Sequence, residues 1–319
     1  MRCVLVVDSG GSKSEAALVR DDGTVLGWGV CRRPGLSGRS ERACREAARD
    51  ALGDGIGAIE ELHVSCLGRN LPMNLFVAER PIAIQVHKVR EFEGAMNLAG
   101  IDHGVVVLAG TGAFVHVQTE DGRMKRLDGH GPLLGDCGSG YHIGHLAMQA
   151  AMRAAWHPRR HTALEQMVFS AFSVTQRHEM IPLNFTKLEG SLVAALAHDV
   201  DRAARAGDAI AAGILKEAAG ALAETLRDAL DSLGALDEPF AMVGTGSVTK
   251  RSDIYWDHFC RLVATFAPNL RPNREPLPSA SGMALAVLRR LPGIDEATVR
   301  ANLFESTSDF LNKREAQLP

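Results

Sequence analysis

Asp128-Gly129-His130-Gly131-Pro132-Leu133-Leu134-Gly135-Asp136-Cys137-Gly138-Ser139-Gly140-Tyr141-His142-Ile143-Gly144 sets six glycines around two carboxylates within a single run. Glycine gives up more backbone freedom on folding than any other residue. A run this rich in it is better explained as a loop that touches a ligand than as a solvated connector. Asp136 is the carboxylate inside it. The bland alternative makes Asp136 a turn cap. His130 could stack on a ligand or hydrogen-bond to it, and a satisfied structural histidine fits equally well.

Moving upstream, Val105 to Ala109 reads as a strand, Gly110-Thr111-Gly112 as a tight turn, and Ala113 to Thr119 as a second strand ending in the turn Glu120-Asp121-Gly122. The same order occurs at the start of the chain. Cys3 to Asp8 is a nearly continuous apolar run, as a central strand would be. Ser9-Gly10-Gly11-Ser12-Lys13 breaks it, Glu15 to Arg20 is extended, Asp21-Asp22-Gly23 turns, and Thr24 to Val30 follows. Gly11 and Gly110, and Ser12 and Thr111, share one offset, so the pattern predicts a duplicated unit with one glycine and hydroxyl hairpin in each half. Downstream, a strand from Pro239 to Val243 ends in Gly244-Thr245-Gly246-Ser247.

These turns share a chemistry. Backbone amides and small hydroxyls can donate to phosphate oxygens, and a carboxylate beside them, Asp8, can hold a hydrated Mg²⁺. Neither a Walker loop nor GxGxxG is present. Bare backbone at Gly244 to Ser247 could let an adenine or ribose lie close. Each turn alone is a weak signal, because glycine turns are common.

The remainder reads as helix-rich. Helical spacing covers Glu41 to Leu52, His145 to Trp156, Gly190 to His198, Ala203 to Leu233 with interruptions at Gly207, Gly213 and Gly220, Tyr255 to Phe266, Ser279 to Arg290 and Asp295 to Leu311. Further strands are expected at Leu62 to Leu67 and Ile82 to Val86. Length (319 residues) suits two domains. A net charge of −3 gives no basic field for a nucleic-acid backbone. Six cysteines without CxxC pairing, no leader-like start and no long apolar run lead to the expectation of a reduced cytoplasmic protein without membrane spans.

Together these motifs resemble the sugar kinase/heat-shock ATPase/actin superfamily, and within it the N-acetylglucosamine kinase and BadF/BadG/BcrA/BcrD-type ATPase family. Asp8 to Lys13 resembles the first phosphate motif, with Ser12 for Thr. Gly110 to Ala113 resembles the second, with Ala113 for Ser. Gly129 to Gly144 resembles the long glycine run, with His130 for Trp and Cys137 for Glu. Gly244 to Ser247 resembles the adenosine motif. The resemblance covers nearly the whole chain. It implies an α/β fold of two ribonuclease-H-like (actin-like ATPase) domains around a central nucleotide cleft, expected over 1–101 and 102–294. Residues 295–319 are expected to pack back on the first domain.

It also implies an ATP- and Mg²⁺-dependent kinase for a sugar or amino sugar. ATP would meet Ser9, Gly10, Gly11, Ser12 and Lys13, then Gly110, Thr111 and Gly112, and then Gly244, Thr245, Gly246 and Ser247. Mg²⁺ would sit at Asp8. The sugar would meet Asp136, Thr111, Gly112, His130, Gly131 and Ser37. The general base of such kinases is an Asp at the start of a helix. Here Glu91 takes its place in Arg90-Glu91-Phe92-Glu93-Gly94-Ala95, with Glu93 in reserve. Glu91 is one methylene longer, and the family's Pro-x-Asn element is replaced by Arg32-Arg33-Pro34-Gly35-Leu36-Ser37-Gly38-Arg39-Ser40, where Ser37 could supply one of the lost hydrogen bonds. The open alternatives are a partner-coupled ATPase and a weakly active nucleotide or sugar sensor. A homodimer is compatible with either.

Overall fold

The computed structural model describes residues 1–32, 40–67, 82–185 and 189–315, so Ser37 lies outside the described residues. In chain order the strands are β1 (Arg2–Ser9), β2 (Ser14–Arg20), β3 (Val25–Cys31), β4 (Glu61–Cys66), β5 (Ala83–Val86), β6 (Gly104–Ala109), β7 (Ala113–Gln118), β8 (Met124–Asp128), β9 (Ala241–Thr245) and β10 (Arg271–Arg274). The α-helices are α1 (Glu41–Leu52), α2 (Glu91–Ala99), α3 (Gly140–Arg153), α4 (Leu164–Ala171), α5 (Gly190–Arg205), α6 (Ala209–Asp231), α7 (Ser247–Arg251), α8 (Asp253–Phe266), α9 (Ser279–Leu288) and α10 (Glu296–Glu315). The chain forms two compact units. One is Met1–Asp102 with Glu275–Pro319; the other is His103–Arg274.

The first unit holds a five-stranded sheet in the order β3-β2-β1-β4-β5. β1 and β2 are antiparallel, and β1 and β4 are parallel. Side chains alternate between two covered faces, as the pleat requires. Cys3, Leu5, Val7, Ala16 and Leu18 meet the alanine-rich face of α1; Val4, Val6, Ala17, Val19 and Trp28 join α9 and Val299 and Leu303 of α10. Both clusters are buried from water, which is the main force holding the sheet between its helices. Ser40 caps α1, its Oγ accepting from the Ala43 amide at 3.1 Å.

The second unit repeats this plan. Its sheet runs β8-β7-β6-β9-β10, with the first two pairings antiparallel and the last two parallel. The duplication expected from the two hairpins is therefore a duplication of sheet topology. α3, α5, α6 and α8 build a large apolar cluster over this sheet, with Leu196, Leu215, Leu222 and Phe259 fully buried.

Several boundaries differ from the sequence reading. α3 begins at Gly140, because Ser139 Oγ accepts from the His142 amide and starts the helix early. In the stretch from Ala203 to Leu233 the expected interruption at Gly207 is present, between Arg205 and Ala209, whereas Gly213 and Gly220 lie inside continuous helix. Asp208 opens α6 by accepting from the amides of Ile210 and Ala211, an end-cap that ordinary helical periodicity does not reveal. β8, β10 and α4 were not expected. β8 is too exposed to show an apolar pattern, and β10 contains a proline and is polar. Among the described residues no helix is long and apolar enough to cross a membrane.

Candidate active site

In both units the glycine turns stand at the carboxyl ends of central strands. β1 ends at Ser9 and β6 at Ala109, and each runs parallel to a neighbour, β4 and β9. Such strand ends are where open α/β sheets bind ligands.

In the first unit, Asp8 lies on the sheet face turned toward α9, opposite Glu15 in the β1–β2 register. It keeps some contact with solvent yet is densely surrounded. Burial pushes its carboxyl up to about 7; Glu15 adds to this, Lys13 opposes it, and Glu91 and Glu275 add smaller contributions. Asp8 and Glu15 thus stand opposite each other on the ladder, with the Lys13 ammonium paired to Glu15. Lys13 Nζ pairs with Glu15 Oε2, and the Trp28 indole N–H donates to Glu15 Oε1 at 3.1 Å. On the opposite sheet face Ser9 Oγ donates to the Leu67 carbonyl, and Ser14 Oγ lies 3.4 Å from Cys44 Sγ.

Glu91 is the first residue of α2 and is partly buried. Its rival Glu93 is occupied elsewhere. One oxygen pairs with Arg90 and the other with Arg290 at 2.6 Å. Helix α2 is seated by Gly94, which meets Gly282 of α9 backbone to backbone. A β-carbon on Gly282 would stand 2.4 Å from the Gly94 carbonyl oxygen.

In the second unit, the turn Gly110–Gly112 is closed by the Gly110 amide donating to the Gly112 carbonyl at 2.9 Å. The long glycine run folds back on it. The Gly140 amide donates to the Gly110 carbonyl at 2.7 Å and the Tyr141 amide to the Thr111 carbonyl at 3.2 Å. Asp136 is buried with its carboxylate against Gly112. The turn Gly244–Ser247 meets the same place: Gly246 has φ +90, and a β-carbon there would come within 2.4 Å of the Ala109 carbonyl oxygen. Thr249 Oγ1 donates to the Thr245 carbonyl at 2.6 Å and fixes the start of α7.

Residues that sequence reasoning passed over hold this loop. Asp128 has φ 68 and accepts from the amides of Gly129 at 2.8 Å, Asp136, and Cys137 at 2.8 Å. Tyr255, fully buried in α8, donates its hydroxyl to the Gly138 carbonyl at 2.8 Å. Asp128 opens the quoted run and could have been singled out as its anchor; a lone tyrosine in a helix carries no such signal. His130 is exposed on the loop, and Gly131 accepts from the amides of Leu134 and Gly135 to make a turn. Burial and the Asp128 carboxylate raise the Cys137 thiol, so it stays protonated and poorly nucleophilic near neutral pH.

A model of the BadF/BadG/BcrA/BcrD ATPase family matches residues 5–259. The chain belongs to that family. Among curated proteins this family member is 25% identical over 290 residues to the N-acetylmuramic acid/N-acetylglucosamine kinase of Clostridium acetobutylicum, covering 85% of this chain and 93% of the relative. It is 30% identical over 188 residues to the N-acetyl-D-glucosamine kinase of Dictyostelium discoideum, covering 58% of this chain and 59% of the relative. Among solved structures, a Porphyromonas gingivalis protein named as a candidate N-acetylglucosamine kinase matches with a TM-score of 0.65 at 15% identity, over 90% of this chain and 99% of that one. A ROK family glucokinase from Streptomyces griseus matches with a TM-score of 0.55 at 19% identity, over 88% and 97%. The family member shares the α/β fold of these two proteins, with a five-stranded sheet in each of its two units.

Each unit of this family member brings its own motifs together. The first sets Asp8 beside Ser9 to Lys13 and carries Glu91 at the start of α2; the second brings Gly110 to Gly112 against Asp136 and Gly246.

Proposed function

We propose that this protein transfers the γ-phosphoryl group of ATP to a hydroxyl of an amino sugar, with N-acetylglucosamine as the first candidate. The observation that carries the reading is the partly buried carboxylate at the start of α2, Glu91, in the same compact unit as Asp8 and its glycine and hydroxyl hairpin. The chain is also similar over 85% of its length to a protein named as a kinase for two amino sugars.

In this reading the amides of Ser9 to Lys13 and Gly110 to Thr111 and the hydroxyls of Ser12 and Thr111 meet phosphate oxygens, the Ser9 hydroxyl being given to the Leu67 carbonyl, and Gly244 to Ser247 lets the nucleoside lie on bare backbone. Asp136 accepts from sugar hydroxyls, with Gly112 leaving it room. Glu91 accepts the proton of the attacking hydroxyl, a role that needs a heavy-atom separation of about 2.6–3.2 Å in the reactive complex. The protein's main contribution is to orient the hydroxyl and balance charge.

The donors around Asp8 suit Mg²⁺. They are hard carboxylate oxygens, in excess of the one ammonium beside them. Among the described residues no group of three or more His, Cys, Asp or Glu forms a metal cage. Asp8 would therefore hold the ion with help from phosphate and water, as Mg²⁺ commonly requires. Bound there, Mg²⁺ would neutralise phosphate charge.

The test is product identification. Incubation with Mg-ATP and N-acetylglucosamine, N-acetylmuramic acid, glucosamine or glucose, followed by mass spectrometry, should give a sugar monophosphate with an amino sugar. ADP formed equally without any sugar would instead point to an ATPase coupled to a partner.

A further inference from the structure

We infer that Glu15, held by Trp28, is a positioning residue that fixes the ammonium of Lys13 on the first phosphate hairpin. The inference rests on the kinase reading and extends it to a residue with no contact to the reacting groups.

Glu15 is a carboxylate in the interior of β2, its side chain 7% exposed. The next residues on its face are Ala17 and Val19, both fully buried and apolar. The strand's period therefore asks for an apolar side chain here. The neighbour across the ladder is Asp8, another carboxylate, so the position is electrostatically unfavourable. A buried charge persists only where its partners compensate it, and replacing such a pair by hydrophobic residues is often neutral or stabilising. Fold stability thus gives a weak reason for Glu15.

Its partners give a stronger one. The two oxygens are assigned to different groups, Oε1 to the Trp28 indole and Oε2 to Lys13 Nζ. Trp28 is itself buried, and a buried indole N–H needs an acceptor. The carboxylate therefore cannot turn away from Lys13 without orphaning Trp28. Lys13 keeps 32% of its side chain exposed at the turn that follows Ser9-Gly10-Gly11-Ser12. A lysine at such a place is normally a mobile point charge. Tethered, it meets a phosphate with its conformational cost already met.

The sign of one substitution separates positioning from simple charge. Glu15→Gln keeps an oxygen for Trp28 and removes a negative charge near the phosphates. If Glu15 acted only through its field, nucleotide would bind more tightly. If it positions Lys13, nucleotide binds more weakly.

The experiment measures affinity of the full chain for Mg-AMPPNP by calorimetry, with a thermal melt of each variant as the folding control. Lys13→Ala is expected to weaken binding on the order of tenfold, and Glu15→Gln about fivefold. The double variant should equal Lys13→Ala alone, since the two residues act as one unit. Trp28→Phe should weaken binding to a smaller degree. A role confined to folding would lower the melting temperature and make the two losses multiply. If Lys13→Ala weakens binding while Glu15→Gln leaves or tightens it, the inference is wrong and the kinase reading stands. If Lys13→Ala has no effect, or the wild type binds no nucleotide, the phosphate role of the hairpin fails and the inference fails with it.

Discussion

Asp136 stands directly against Gly112: a β-carbon built on Gly112 would come within 2.8 Å of Asp136 Oδ2 and 3.1 Å of its Cγ. Asp136 is buried, with φ 59, so it has little freedom to retreat. Gly112→Ala should displace this carboxylate and raise the KM for sugar roughly tenfold or more, while the KM for ATP changes less. Steady-state kinetics with each substrate varied in turn checks this.

Asp128 is the acceptor for three amides of the same loop, those of Gly129, Asp136 and Cys137. Its loss would leave those donors to water and release the loop. Asp128→Ala should cut sugar-dependent turnover by a factor on the order of ten to a hundred, and Asp128→Asn by less, because Asn keeps one oxygen and also tolerates a left-handed backbone. Paired measurements of kcat and of the melting temperature should show the larger effect on kcat.

The crossing of α2 and α9 depends on Gly282 and Gly94, where a methyl on Gly282 would meet the Gly94 carbonyl at 2.4 Å. Gly282→Ala should therefore destabilise the fold by about 1–3 kcal/mol, the usual cost of overpacking. Gly94→Ala should cost less, its nearest contact being 3.2 Å. Urea unfolding followed by circular dichroism would give both values. A fall in kcat at temperatures where Gly282→Ala is folded would show that α2 also sets Glu91.

Asp208 caps α6 and also accepts from the Thr162 hydroxyl at 2.6 Å and the Ala163 amide at 2.8 Å. Burial alone would raise its carboxyl, but these hydrogen bonds, with those from Ala211 and Ile210, outweigh burial and hold it below the usual carboxylate range. The sign follows from proton binding. The unfolded chain takes up the proton first, so the stabilisation is full above about pH 4 and is lost as the pH falls below it. Asp208→Ala should cost roughly 1–2 kcal/mol at pH 7, and the gap to wild type should narrow near pH 3. Urea titrations at both pH values test this.

The glycine turns make the sheet repeat readable in the sequence, because turn residues and central apolar strands leave strong local patterns. Ser9-Gly10-Gly11-Ser12 and Gly110-Thr111-Gly112 both close β-hairpins at the ends of β1 and β6. What the chain did not reveal locally are contacts made over long separations. Glu275 influences Asp8, and Tyr255 reaches Gly138. Nothing near Glu275 or Tyr255 in sequence marks either role. The return of the chain to the first unit was expected near residue 295, whereas the compact unit takes it up again at Glu275. α9 is so uniformly small and apolar that its pattern does not say which sheet it covers; its packing on β1 and α2 decides it. In sequence Glu15 reads only as part of a strand, because its role depends on the buried indole of Trp28 on β3, which nothing beside Glu15 announces.

The chemistry converges on Glu91, and one measurement addresses it directly. ADP release is followed with Mg-ATP and N-acetylglucosamine for the wild type and for Glu91→Gln, with Glu93→Gln as a control. The account predicts release that depends on the sugar, falls by a factor on the order of a thousand in Glu91→Gln, and changes far less in Glu93→Gln. Release that ignores the sugar, or that survives Glu91→Gln undiminished, would contradict it.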